Sequence, residues 1–198
     1  GRTMSNSGIG TRLTMNNCFV APPVADDLGA IFDTVKLGGM THQRGGGIGY
    51  DFSRLRPAGT PTSNDAVASG PVSFANVFNA QTATILQGNR RGANMCVLNV
   101  YHPDILDFIN AKSYDAGTLN HFNLSVMVDD TFMAAALRRE NIALHWPVYD
   151  DGGHIITDPS QWKVTREINA GELWDAITRK AYDNGEPGIF FYTNMNRD

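Results

Sequence analysis

The sequence has 198 residues, with 16 Lys+Arg against 20 Asp+Glu for a formal net charge of −4, 42% hydrophobic and 18% charged residues, 20 glycines and two cysteines. At roughly 150 residues per domain this is one domain or a large piece of one, read without an internal boundary over 1–198, and its apolar fraction can bury a core, which excludes disorder. The mildly acidic balance argues against nucleic acid as a partner, two cysteines point to a reducing, cytoplasmic compartment, and no run of about 18 apolar residues or charged-then-apolar leader marks a membrane span or signal peptide.

The chain opens on Gly1 without a methionine and stops at Asp198 soon after an apolar run, so both ends read as cut. The first strand-like run is Cys18 to Ala21. Asp26 or Asp27 then caps a helix whose Leu28, Ile31, Phe32 and Val35 fall on one stripe, closed by Gly38 and Gly39. A strand from Ile48 to Phe52 precedes a second helix, opened by Ser73, with Phe74, Val77, Phe78, Ile85 and Leu86 on one face. Met95 to Val100 reads as a strand, and His102 marks the turn into a short helix after Pro103 that carries Ile105, Phe108 and Ile109. In Phe122 to Val128 apolar residues alternate with Asn123, Ser125 and Met127, as in a half-buried strand. Asp130 caps a fourth helix through Phe132, Met133 and Leu137, and Asp150 to Ser160 is a turn-rich excursion. The last helix runs from Ala170 to Asn184, stopped by Gly185 and Pro187, and Ile189 to Tyr192 is the final strand. Strands and helices take turns, which predicts an α/β sheet or barrel with parallel strands.

Three segments carry candidate chemistry. In Arg44 to Pro57, three consecutive glycines and Gly49 free the backbone, and successive bare N–H groups there would suit anionic or sugar oxygens. No Gly-Lys-Ser/Thr follows, so this is not a Walker loop, and it does not fit the G-x-G-x-x-G fingerprint. Arg54 and Arg56 could aim two guanidinium groups at a phosphate, while a tight turn with two solvated arginines suits the same residues. In Leu86 to Met95, Gly88 and Gly92 flank Asn89, Arg90 and Arg91 in a loop equipped to sense a nucleotide base or phosphate, although an exposed basic loop is the commoner use of such a run. Third, Cys18 stands behind Asn16 and Asn17, where a thiol could do redox or nucleophilic work, whereas a lone cysteine is more often a small buried hydrophobe. Cys96, inside an apolar run, fits that structural role. The cysteines and the five histidines show no metal-ligand spacing, so no metal site is expected.

Together the stretches NNCFV (Asn16–Val20), GGGIGYDFSRLRPAGT (Gly45–Thr60), SGPVSF (Ser69–Phe74), QGNRRGANMCVLNVYHPDILDFI (Gln87–Ile109), NHFNLSV (Asn120–Val126) and, more weakly, GEPGIFF (Gly185–Phe191) resemble the large, catalytic subunit of ribonucleotide reductase. The similarity is to its adenosylcobalamin-dependent class II form. It implies a ten-stranded α/β barrel, of which this chain would supply about the first half. It further implies reduction of ribonucleotides to 2′-deoxyribonucleotides by thiyl-radical chemistry.

By that resemblance Cys18 is the first member of a redox-active cysteine pair, Asn17 lines the substrate pocket beside it, and Gly47 gives a backbone contact to the bound nucleotide. Asp26 resembles an acidic residue that contacts a deoxynucleotide effector, although capping a helix also accounts for it, and Arg56 resembles an arginine that binds effector phosphate. The run Gly88, Asn89, Arg90, Arg91, Gly92 and Ala93 resembles the specificity loop between effector and substrate base. Implied partners are the ribonucleotide, the effector, a thioredoxin-like or other dithiol reductant and a second copy in a homodimer. The family's thiyl-radical cysteine and second redox cysteine would lie after Asp198, and Cys96 replaces an expected glycine, so the chain alone is expected to be inactive. Two further readings are a class I or glycyl-radical barrel enzyme, and a nucleotide-binding regulatory module without chemistry.

Overall fold

The computed structural model describes residues 3, 7–8, 10, 13–62, 66–87, 90–112, 118–146, 156, 158 and 161–196. Nine strands and six helices of it are used below: β1 (Cys18–Val20), α1 (Leu28–Gln43), β2 (Gly47–Asp51), α2 (Gly70–Thr84), β3 (Leu86–Gln87), β4 (Arg90–Arg91), β5 (Asn94–Asn99), α3 (Ile105–Asn110), β6 (Phe122–Val128), α4 (Asp130–Arg138), β7 (Asn141–Trp146), β8 (Lys163–Asn169), α5 (Ala170–Asn184), β9 (Gly188–Phe191) and α6 (Tyr192–Met195). The main sheet has five strands in the order β1-β2-β5-β6-β9, and every neighbouring pair is parallel. Chain order equals spatial order, so each connection moves one place along the sheet, and right-handed crossovers put the connecting helices on one face. This is the α/β, parallel architecture that the alternation predicts. The sheet is open at β1 and β9 among the described residues.

The core lies on the helix side of the sheet. Ile48, Tyr50, Cys96, Leu98, Phe122, Leu124, Val126 and Val128 are buried there against Ile31, Phe78, Phe108, Phe132, Leu173 and Ile177. Each fully buried Leu, Ile or Phe contributes about 1.5–3 kcal/mol. Rings of Tyr50, Phe52 and Phe78 form its aromatic centre, with the Tyr50 and Phe78 centroids 4.7 Å apart and edge to face. The intervening strand positions, among them Cys18, Val20, Gly47, Gly49, Met95, Val97, Asn99, Asn123 and Met127, face the other way and are exposed or half-buried.

Several expected boundaries move. Asp27 is the residue that caps α1, accepting from Ala30 N at 2.9 Å, and the helix passes through Gly38 and Gly39 to end at Gln43. The glycines do not stop it, because they lie where a side chain would meet the Tyr50 hydroxyl and Ile85. Only part of the expected stripe is core: Ile31 is buried, while Leu28 and Phe32 are 60% and 51% exposed. Helix α2 starts at Gly70 rather than Ser73, with Pro71 in its first turn, and Leu86 leaves the helix for β3. Asp129, not Asp130, caps α4 through Phe132 N, and Leu137 is exposed. The antiparallel pair β7–β8 was not expected; it packs Leu144 into the core. The predicted excursion from Asp150 to Ser160 falls outside the described residues except at 156 and 158. No described helix is long and apolar enough to cross a membrane.

Candidate active site

The parallel register brings Asn17, Cys18 and Gly47 together at the N-terminal rim of the sheet. Cys18 is the register partner of Gly47, and Gly47 N donates to Asn17 O at 2.8 Å. Because β1 alternates faces, half-buried Phe19 turns toward the helices, and exposed Cys18 turns to the open face. A cavity of about 580 Å3 between Thr14, Phe19, Leu37, Met40, Thr41 and Arg44 is therefore on the side away from the thiol.

The triple glycine does not present bare donors. Gly45 N donates to His42 O at 2.8 Å, Gly46 N to Thr41 O at 2.9 Å, and Gly47 N to Asn17 O. These bonds end α1 and start β2. The expectation of free N–H groups for a ligand's oxygens is thus corrected: the glycines serve local geometry. Gly45 has φ +93, and a Cβ on Gly46 would stand 2.7 Å from Thr41 and 2.8 Å from Phe19. What Gly47 and Gly49 offer beside Cys18 is a strip of sheet surface without side chains.

Strands β3 and β4 precede β5 at the same rim. Leu86 pairs with Arg91 and Gln87 with Arg90 in a short antiparallel ribbon, so the predicted loop is a hairpin. Its tip, Gly88 and Asn89, lies outside the described residues. Gly92 and exposed Ala93 lead into β5, and Ala93 O accepts Ile48 N at 3.1 Å, directly beside Gly47.

Asp26 and Arg56 are placed elsewhere. They follow β1 and β2 at the C-terminal rim, about 16 Å away along a five-residue strand. The structure does bring them to each other: Asp26 Oδ1 accepts Arg56 N at 3.0 Å, and Oδ2 accepts Arg56 Nε at 2.7 Å. Asp26 is 9% exposed with both oxygens engaged, whereas a third of the Arg56 side chain is open to solvent. Asp26 therefore fixes the arginine rather than presenting a carboxylate, and the capping role falls to Asp27.

Cys96 is fully buried on the helix side of β5, where burial pushes its thiol well above the ordinary range, as its structural assignment requires. No cluster of three His, Cys, Asp or Glu that could hold a metal ion occurs among the described residues. A polar group under the hairpin, buried His42, Thr82 and Asn94 with half-buried Gln81, carries no motif in the sequence. Its only signal was polar residues inside otherwise apolar helix and strand patterns.

Five parallel strands in chain order, with an exposed thiol and the base of a hairpin on one rim, are consistent with part of a parallel α/β barrel. The family model for "Ribonucleotide reductase, barrel domain" matches residues 16–198, and the chain belongs to that family. It is 41% identical over 197 residues to a vitamin B12-dependent ribonucleoside-diphosphate reductase of Mycobacterium tuberculosis, covering 98% of this chain and 26% of the relative. A protein of the same description from Thermoplasma acidophilum is 40% identical over 199 residues, covering 98% and 24%. A vitamin B12-dependent ribonucleotide reductase of Streptomyces coelicolor is 32% identical over 203 residues, covering 90% and 20%. The chain spans about a quarter of the length of the first two relatives.

Proposed function

We propose that this chain contributes the electron-donating strand and the specificity hairpin of a ribonucleotide reductase. The observation that carries the reading is the exposed Cys18 thiol in register with Gly47, beside a strip of bare sheet. Reduction breaks the 2′ C–O bond of the ribose. The oxygen leaves as water, and two thiols supply the two electrons and two protons, becoming a disulfide. Cys18 is one of them; a dithiol reductant of thioredoxin type restores it. Asn17 and Gly47 hold the sugar against the sheet, and the run from Gly88 to Ala93 lies between the effector and the substrate base and changes which base is accepted. Arg56, fixed by Asp26, keeps an exposed guanidinium edge for an effector phosphate.

The relatives' names favour ribonucleoside diphosphates as substrates and cobalamin dependence over a class I or glycyl-radical mechanism. Adenosylcobalamin supplies the radical in that class. A deoxynucleotide effector and a homodimeric partner belong to the same reading, as does a cytoplasmic setting, where thiols are kept reduced.

The test is Cys18→Ala in the full-length protein. Multiple turnover with a dithiol reductant is expected to fall by at least about a thousand-fold, as for loss of a group that acts only in the chemical step, while radical formation persists. Steady-state turnover at the wild-type rate would overturn the assignment.

A further inference from the structure

The ends of α1 and α2 enclose polar groups that the reading above does not use. His42, Thr82 and Asn94 are 1%, 1% and 3% exposed. Thr82 Oγ1 donates to Phe78 O at 2.9 Å, so it must accept from Asn94 Nδ2, 2.6 Å away. That orients the Asn94 amide and leaves its Oδ1 as an acceptor. Gln81 Nε2 lies 3.3 Å from His42 Nδ1. An amide N–H can only donate, so Nδ1 accepts and the neutral ring carries its proton on Nε2. His42 Nε2 and Asn94 Oδ1 are both buried and make no well-aligned hydrogen bond among the described residues, although Asn94 and the Ala93 backbone lie beside the ring. One is a donor and the other an acceptor, in the same enclosure.

The base of the hairpin rests on this enclosure. A Cβ on Gly92 would stand 2.9 Å from two His42 ring carbons and 2.9 Å from Thr82 Cγ2, so only glycine lets the strand lie this close. The groups facing the ring are Gln81 and Thr82 from α2, the Ala93 backbone and Asn94 at the hairpin base and start of β5, and His121 before β6. None is a carboxylate. Burial pushes the His42 pKa down, which keeps the ring neutral and its Nε2 proton available.

We propose that His42 is a positioning residue that seats the Gly92–Ala93–Asn94 base of the β3–β4 hairpin on the helix pair by turning its Nε2 proton toward Asn94 Oδ1. A buried donor facing a buried acceptor favours that seating. The consequence for substrate choice rests on the function proposed above; the seating of the hairpin does not.

The experiment uses the full-length protein and limited trypsin digestion, since Arg90 and Arg91 put cleavage points in the hairpin itself. His42→Ala is expected to speed cleavage there about ten-fold, the effect of one hydrogen bond on a local opening, with other sites unchanged. His42→Gln, which can accept from Gln81 and donate to Asn94, is expected to return the rate to within about two-fold of wild type. If His42→Ala does not fold, His42→Leu takes its place, keeping the volume and removing both nitrogens. Wild-type cleavage rates in Ala and Leu overturn the proposal. So does a uniform rise across all sites, or a loss of fold that spares only Gln, because each makes His42 a general core residue. A second readout is the change in substrate preference that a deoxynucleotide induces; Ala or Leu diminishes it and Gln restores it. Absence of any reductase activity in the wild type would sink the function proposed above, and the cleavage comparison would still decide on His42.

Discussion

His102, 2% exposed, lies between two main-chain groups: its Nε2 donates to Leu55 O at 2.8 Å, and its Nδ1 accepts Asp104 N at 3.0 Å. A carbonyl only accepts and an amide only donates, so one neutral tautomer satisfies both, and a proton on Nδ1 would set two donors face to face. Burial pushes its pKa down to about 4, against the partial upward pull of the Leu55 carbonyl and of Asp26 and Asp51. Between pH 6.5 and about 4 the unfolded chain therefore binds a proton that the folded chain refuses. Stability is full above that window, declines as pH falls through it, and levels off below, with a total effect of about 3 kcal/mol. His42 and His145 are lowered by burial too and act in the same direction. Asp104, raised by burial, acts oppositely near the carboxylate range. Urea midpoints are expected to fall between about pH 7 and pH 4.5, and more steeply for wild type than for His102→Gln. Parallel declines for the two proteins would show that His102 is not the source.

At the scale of elements, α1 shows how a neighbour overrides a local rule. Glycine inside an exposed helix costs about 1 kcal/mol relative to alanine. At Gly38 the sign reverses, because an added Cβ meets the buried Tyr50 hydroxyl across the helix–sheet contact. Gly38→Ala is expected to destabilise the chain by about 1–3 kcal/mol. Tyr50→Phe is expected to be neutral or stabilising, since that hydroxyl is buried without a partner among the described residues. The double variant should then recover most of the loss. Thermal unfolding of the four proteins checks this, and a double variant as unstable as Gly38→Ala alone would rule out the Tyr50 contact. The same contact explains why α1 runs past the expected stop: Gly38 and Gly39 match a helix end by sequence, but Tyr50 and Ile85 pack where their side chains would be. Elements with their own signals were legible. Phe122–Val128 shows its alternation, and Ala170–Asn184 has an asparagine cap and Gly185 in the left-handed conformation. Lys163–Asn169 has no period-two pattern and pairs with a strand more than fifteen residues away, and β3 and β4 are too short to carry one. In the site, Cys18 and Gly47 were legible as motif residues. Three facts depend on partners that no local pattern shows: the engagement of the glycine N–H groups, the Asp26–Arg56 pair across thirty positions, and the His42 enclosure.

At the scale of the whole molecule the decisive feature is the pair of sheet edges that are open among the described residues. Among the described residues β1 pairs only with β2, and β9 only with β6. Both ends expose apolar side chains: Val20 is 91% exposed on β1, and Phe191, Tyr192 and Met195 are 42%, 51% and 64% exposed at β9 and α6. Unpaired parallel edges with few charges template further strand pairing. The 198-residue chain on its own is expected to self-associate, its weight-average mass rising with concentration in analytical ultracentrifugation. The symmetry of the contact then decides what a charge at each edge does. If β1 of one copy adds to β9 of the next, the sheet continues in chain order without closing, and Val20→Lys or Phe191→Lys alone suffices to block it. If two copies meet β1 to β1, a two-fold dimer forms that Val20→Lys abolishes and Phe191→Lys leaves intact. The first outcome is the one expected, because it extends the parallel ladder that every strand pair of the five-stranded sheet already uses. A monodisperse monomer at all concentrations would mean that the edges are not the reactive surface.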